Sequence, residues 1–313
     1  MTRIFLSILL FGLLSACNDE NSQNIQEQNQ DTLKELSHFN NDDEKVSYCI
    51  GLDNGNAILN VYSSEQTKGK FSLVDIEAGL VDYLGDEDLK ISVHAIDSIL
   101  NLYLGDEGQV DATHVSMQDA SYAIGLVEAQ TLVGSFVGRG IDQQMEIPQL
   151  IEGIRDGINN EPNKISLLKA RQEVAAYYSE MNRIMGESFL SNNAKKATVQ
   201  TTKSGLQFEQ IMEGTGRQPN LTDTCIVHYT GRFIDGRVFE STVPSQQPAQ
   251  FTLMNVIPGW QEGLQLMKEG GSARLYIPYQ LAYGEKGSGP IEPFSTLVFD
   301  IELLRVLKFK PQK

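Results

Sequence analysis

Cations, cysteine, histidine and tryptophan are all scarce in this 313-residue chain. Lys and Arg number 25 against 41 Asp and Glu, a net charge of −16. That balance excludes a nucleic-acid binder, which needs cations to displace counterions from phosphate. Three Cys are too few for a disulfide scaffold. The two inside the folded part, Cys49 and Cys225, sit in apolar patterns and read as buried free thiols. None of the four His forms a metal-ligand pair with a nearby His or Cys, so no metal site and no cofactor are expected. A phosphate-binding loop is missing too: the Gly284–Gly289 stretch is Gly-rich, but Pro290 follows it instead of a helix, which makes it a strand-connecting loop. The longest apolar run, Ile4 to Leu14, falls short of the roughly 20 residues that span a bilayer. Proline is absent from 163 to 218, which leaves room for one long helix from Ile165 to about Ala197.

The charge is uneven. Residues 1–200 carry 14 Lys and Arg against 30 Asp and Glu, whereas residues 201–313 carry 11 of each. The acidic half is most simply a solvated helical surface; recruitment of basic clients is the other reading. The N-terminus has the form of a secretory signal over residues 1–16: Arg3, the apolar run, then a small-residue end. Its last residues, Leu14-Ser15-Ala16-Cys17, resemble the lipobox of bacterial lipoproteins. By that resemblance Cys17 carries acyl chains, which anchor stably when there are two or more, and the polar residues up to 42 form a tether. Asn18 stands where inner-membrane lipoproteins carry Asp, so the resemblance implies the outer membrane, facing the periplasm.

A duplication follows. Ser47-Tyr48-Cys49-Ile50-Gly51-Leu52 recurs as Ser121-Tyr122-Ala123-Ile124-Gly125-Leu126, an offset of 74. The same offset maps Gly79 onto Gly153, Asp82 onto Asp156, and Lys90-Ile91-Ser92 onto Lys164-Ile165-Ser166. Copy one is expected over 43–110 and copy two over 111–200, broken apart at Asp106-Glu107-Gly108. Each copy reads as three helices, with Ser72 and Ser116 as N-caps and the third helix starting at Lys90 or Lys164. Tyr48, Leu52 and Leu59 begin the first apolar stripe.

From Ser204 the period changes to two, with turns at short intervals and one short helix at Gly259–Lys268. The fold class expected is α+β: a duplicated helical half, a long helix, and a C-terminal antiparallel sheet wrapped around one helix over 201–313. The segments Val227-His228-Tyr229-Thr230-Gly231, Asp235-Gly236, Phe239-Glu240-Ser241, Val256-Ile257-Pro258-Gly259-Trp260, Leu281-Ala282-Tyr283-Gly284 and Thr296-Leu297-Val298-Phe299-Asp300 occur in this order. They resemble the FKBP-type peptidyl-prolyl cis-trans isomerases. With the helical half and the Thr201–Gln207 junction, the resemblance is to the macrophage-infectivity-potentiator subgroup.

The resemblance implies a prolyl isomerase acting on proline-containing, partly folded protein clients. It implies a pocket floored by Trp260, the only Trp, and walled by Tyr229, Phe239, Val256, Ile257 and Phe299. Tyr283 would donate to the substrate carbonyl and Ile291 would sit on the overhanging loop. Glu240 stands where the family usually has Asp, so its carboxylate is expected to overshoot by about 1.5 Å, one carbon–carbon bond. Ala249 stands where single-domain members carry an aromatic. Subgroup members with one helical unit pair through it, so two units in one chain imply a monomer with an internal pseudo-dimer. A client-binding chaperone with a weak isomerase site is the alternative.

Overall fold

The repeated Ser-Tyr-x-Ile-Gly-Leu segment lies in two long helices, and its residue types follow from what those helices touch. The computed structural model describes residues 39–104, 115–162 and 164–309. The signal segment, Cys17, most of the tether and the Asp106-Glu107-Gly108 break with the copy boundary beside it lie outside the described residues. Copy one forms α1 (Asp42–Tyr62), α2 (Leu73–Leu84) and α3 (Ile96–Leu104). Copy two forms α4 (Met117–Arg139), α5 (Ile147–Asn159) and α6 (Leu167–Asn193). The chain divides into two compact units between Ala175 and Ala176, inside α6.

In the first unit the copies interlock. Helix α1 of copy one packs along α5 of copy two, and α2 of copy one along α4 of copy two. Every part of the repeated segment serves this exchange, twice. Ser121 Oγ accepts from the backbone N–H of Ser72 at 2.9 Å, and Ser47 Oγ accepts from that of Glu146 at 2.9 Å. Ser72 and Glu146 are the residues that open α2 and α5, where backbone donors lack intrahelical partners. The Tyr122 hydroxyl donates to Asp82 Oδ2 at 2.9 Å, and that of Tyr48 to Asp156 Oδ2 at 2.5 Å. Lys90 Nζ lies 5.0 Å from the Tyr122 ring centroid and Lys164 Nζ 5.3 Å from that of Tyr48. The glycines let the backbones meet. A methyl on Gly51 would strike the carbonyl oxygen of Leu150, and one on Gly125 that of Ile76; Gly79 and Gly153 abut the carbonyls of Tyr122 and Tyr48. All of these pairs are related by the offset of 74.

The single apolar stripe expected on the first helices understates their burial. Val46 to Leu52 are buried without interruption, as are Ala120 to Leu126. A helix crossed this closely on one side and covered on the others has no solvent face at the crossing. Leu59 is only partly buried, and Ile58 takes the core position instead. Each fully buried Ile or Leu here contributes about 1.5–3 kcal/mol over an exposed one. Ser72 and Ser116 cap as expected, accepting from Asp75 N at 3.3 Å and Asp119 N at 3.0 Å. The third helices start later than Lys90 and Lys164. A 3-10 turn at Val93–Ala95 precedes α3, and Ser166 Oγ accepts from Lys169 N at 3.3 Å at the start of α6.

The second unit is a seven-stranded antiparallel sheet in the order β1-β2-β6-β7-β3-β4, with β5 also on β3. Its strands are β1 (Val199–Thr201), β2 (Gln207–Met212), β3 (Thr224–Phe233), β4 (Val238–Ser241), β5 (Ala249–Thr252), β6 (Gly271–Ile277) and β7 (Leu297–Leu307). The expected 200/201 boundary falls inside β1, which pairs with β2. Helix α7 (Pro258–Leu264) is shorter than the Gly259–Lys268 read from periodicity, because the chain turns after Leu264 toward the left-handed Gly270. Gly259 and Gly263, one turn apart, bring α7 down onto the Ile277 and Leu275 side chains of β6. The C-terminal part of α6 lies on this unit through Gly186 at Thr296, Phe189 at Tyr276, and Asn193, which donates to Gln207 Oε1 at 2.8 Å. Cys49 and Cys225 are both buried, one in each unit. Burial and the nearby Asp223 push the Cys225 thiol up to about 11.

Candidate active site

Alternation along β3 turns Cys225, Val227, Tyr229 and Gly231 to one face, and alternation along β7 turns Leu297, Phe299, Ile301 and Leu303 to the same core. Register sets Gly231 directly opposite Phe299. A side chain at 231 would occupy the space of the Phe239 and Phe299 rings, so glycine there is what lets the two rings meet. They stand 5.6 Å apart at 84°.

Trp260 enters from α7 and is 4% exposed. Three rings stand almost perpendicular to it: Tyr229 at 5.0 Å, Phe299 at 5.3 Å and Phe251 at 5.6 Å. Edge-to-face pairs of this kind add about 0.5–1.5 kcal/mol each beyond area burial. Ile291 is buried in the same cluster, and Phe239, Val256 and Ile257 pack against it while partly buried. The indole Nε1 is buried and has no hydrogen-bond partner among the described residues.

Two hydroxyls and one carboxylate complete the site. Glu240 is exposed on β4. Burial first, then the neighbouring Glu240 carboxylate, hold the Tyr229 phenol well above its ordinary value. Tyr283 is 38% exposed. Its phenol is raised too, by burial and then by the Glu240 charge. Both phenols therefore stay protonated near neutral pH, able to donate. The β-bulge between Gly231 and Arg232, where β3 pairs with β4, lies beside Glu240 and is a feature that re-aims side chains.

Seven of the nine residues singled out from the sequence, Tyr229, Phe239, Val256, Ile257, Trp260, Ile291 and Phe299, share this cluster; Glu240 pairs opposite Gly231, and its charge reaches Tyr283. Phe251 was missed. It is two residues from Ala249 on β5, hence on the same face, and its ring borders both Trp260 and Tyr229. The period of two along Ala249–Thr252 gives its face but not its place in the site, which the pairing of β5 with β3 supplies. Phe233, which packs on Phe239 at 5.2 Å and under Arg237 at 4.8 Å, was also unremarked.

No side chain in this arrangement is set up as a nucleophile, since both hydroxyls are held protonated. What the arrangement offers is a dry aromatic surface with donors at its rim. That suits a reaction in which no bond breaks, such as rotation about an amide, whose barrier of about 18–20 kcal/mol comes from resonance.

Comparison with known proteins agrees. Residues 215–304 match the family model of the FKBP-type peptidyl-prolyl cis-trans isomerases, and residues 117–209 match that of the domain amino-terminal to them. Copy one lies outside both matches. The FKBP-type 22 kDa peptidyl-prolyl cis-trans isomerase of Escherichia coli is 42% identical over 199 residues, covering 60% of this chain and 94% of that protein. The isomerase FkpA of Aeromonas hydrophila is 37% identical over 210 residues, 61% of this chain and 76% of its own. The outer membrane protein MIP of Legionella longbeachae is 39% identical over 203 residues, 60% of this chain and 84% of its own. The chain belongs to the FKBP-type peptidyl-prolyl cis-trans isomerases, enzymes that act on proline-containing protein chains.

Proposed function

We propose that the isomerase works by holding a twisted prolyl amide on the aromatic cluster centred on Trp260. The observation that carries this reading is the indole bordered by three perpendicular rings, one of them the donor Tyr229. Water stabilises the charge-separated planar amide, so an apolar surface favours the twisted form over either planar one. Trp260 floors the site, with Tyr229, Phe239 and Phe299 as walls on one side and Val256, Ile257 and Ile291 on the other. Tyr283, the more exposed hydroxyl, donates to the substrate carbonyl. Glu240 orients the Tyr229 hydroxyl. The test is kcat/KM on a tetrapeptide with a Leu-Pro bond. Trp260→Leu is expected to lose at least tenfold, about 1.4 kcal/mol; unchanged activity refutes the reading.

The clients, on this proposal, are extracytoplasmic chains, and the enzyme is held at the outer membrane, facing the periplasm, by acyl chains on Cys17. Support comes from Leu14-Ser15-Ala16-Cys17 after the apolar run. Cys17→Ser is expected to release the protein from membranes; continued flotation with them refutes the anchor. The mature chain is a monomer, because copy one already occupies the place a second subunit's helices would take against copy two. Folding assistance and isomerisation then reside in one polypeptide with a single catalytic unit.

A further inference from the structure

The loop that carries Ile291 is held in a conformation its own residues do not favour. Phe294 has φ of +57°, a left-handed value that is an outlier for a bulky side chain. Such a conformation persists only where its surroundings impose it, and an observed outlier of this kind points to function. Three contacts impose it. The Phe294 N–H donates to Gly284 O at 3.1 Å, and its ring stacks against Tyr279 at 5.0 Å. The third comes from outside the loop: Asn182 Nδ2, on α6, donates to Pro293 O at 3.1 Å and to Glu292 Oε2 at 3.1 Å. One amide group, with its two hydrogens, thus grips the two residues between Ile291 and Phe294.

Ile291 itself is pinned on the other side. Its N–H donates to Ser288 O and its carbonyl accepts from Ser288 N, both at 2.9 Å. The side chain is 4% exposed and buried in the cluster of Trp260 and Phe299. Along α6, Asn182 differs from the other residues facing this unit. Gly186 abuts Thr296, Phe189 packs on Tyr276, and Leu190 O and Asn193 engage Gln207. Those contacts seat the helix on the sheet, whereas Asn182 reaches the Glu292–Pro293 corner.

We infer that Asn182 is a positioning residue of the isomerase site: it holds the Glu292–Pro293 corner so that Ile291 is presented to the aromatic cluster. This rests on the reading of that cluster as the prolyl site. A wall that touches the prolyl ring in planar and twisted states alike acts on binding more than on turnover. Loss of Asn182 therefore appears in KM before kcat.

The experiment compares Asn182→Ala, Asn182→Gln and Trp260→Leu in the full chain, with kcat and KM on the Leu-Pro tetrapeptide and amide exchange of residues 284–294. For Asn182→Ala the expected result is a loss of about fivefold to tenfold in kcat/KM, the scale of two lost hydrogen bonds. The loss is carried mainly by KM, with faster exchange at Ser288, Ile291 and Phe294. Asn182→Gln, which keeps the amide, recovers part of it. If Asn182→Ala keeps full kcat/KM while Trp260→Leu collapses it, the inference is overturned and the prolyl site stands. A loss with unaltered loop exchange overturns it as well. If Trp260→Leu is as active as the natural chain, the prolyl-site reading itself falls.

Discussion

Gly51→Ala and Gly125→Ala are expected to destabilise the helical unit equally, although the residues lie in different copies and different helices. At Gly51 an added methyl would overlap the carbonyl oxygen of Leu150, and at Gly125 that of Ile76. Both partners are backbone, so no side chain can rotate away, and the helices must part. Overpacking of this kind costs about 1–3 kcal/mol in a core that can adapt, and backbone against backbone sits at the upper end. Parting the helices also loosens their dispersion contacts with fully buried neighbours such as Tyr48, Ile50 and Leu52. Alanine returns about 1 kcal/mol through helix propensity. The net loss is about 2 kcal/mol for each variant.

Gly134→Ala is the control. It lies on the exposed side of α4 with nothing within 4 Å of an added methyl. Only the propensity gain of about 1 kcal/mol applies there, so the same substitution stabilises. Urea unfolding followed by far-UV ellipticity measures all three. Fluorescence of Trp260, the only Trp, reports the isomerase unit in the same samples. If Gly51→Ala behaves like Gly134→Ala, the close crossing is wrong. If Gly51→Ala and Gly125→Ala differ by more than about 0.5 kcal/mol, the symmetry argument fails.

Glu240→Val removes the carboxylate that neighbours the Tyr229 phenol, and kcat/KM on the Leu-Pro tetrapeptide is expected to fall about tenfold, about 1.4 kcal/mol; Glu240→Asp, whose carboxylate is drawn back from Tyr229, is expected to be no faster than the natural chain. Burial disfavours the charged form of Asp223, but donors outweigh it: Asn220 N at 2.9 Å and Phe309 N at 3.1 Å, with Arg217 beside them, hold its carboxyl below the usual range. That stability is present above about pH 4 and is lost as pH falls through the lowered value, so Asp223→Asn is expected to flatten the acid limb of a stability–pH curve. Tyr229 and Tyr283 are raised, so their contribution is complete below pH 10 and is lost as pH climbs toward the raised values; an isomerase unit that gains stability above pH 10 contradicts their burial.

The sequence disclosed most of the site because its chemistry is carried by residue type at fixed register. Period-two alternation marked the strands, and the resemblance of their segments to a known family assigned Tyr229, Trp260 and Phe299 to the site. Phe251 escaped because nothing in a four-residue strand distinguishes a site-facing aromatic from a core one until the strand is paired. Asn182 escaped for a stronger reason: it is 110 residues from Glu292 in sequence, and an Asn on a helix carries no local sign of what it will grip. The 74-residue repeat was legible, but its interlocked pairing was not. Periodicity says which face of a helix is apolar, not which of two equivalent partners covers it. Only the doubled glycines hinted at close crossings.

The two sides of the interlock are not identical, and the difference bears on oligomeric state. The Tyr62 hydroxyl donates to Glu128 Oε1 at 3.1 Å, and burial raises the Glu128 carboxyl above its ordinary range. Shifted by 74, the equivalent positions are Phe136 and Asn54, which cannot form that bond. A two-fold homodimer is obliged to make every contact twice with the same residues; two copies in one chain are free to diverge, and here they have. Suppose residues 18–110 are deleted. Copy two of one chain would then have to interlock with copy two of another. Glu128 would face Phe136 on both sides, a buried carboxyl without its hydroxyl, at about 1–3 kcal/mol per side. The full mature chain is therefore expected to sediment as a monomer, and the deleted chain as a weak dimer. Glu128→Asn, which restores the copy-one residue at that position, is expected to tighten the deleted chain's dimer by about tenfold or more, and to leave the full chain monomeric. Sedimentation equilibrium reads all four states. A full chain that dimerises, or a deleted chain whose association ignores Glu128→Asn, would show that copy one does not stand in for a second subunit.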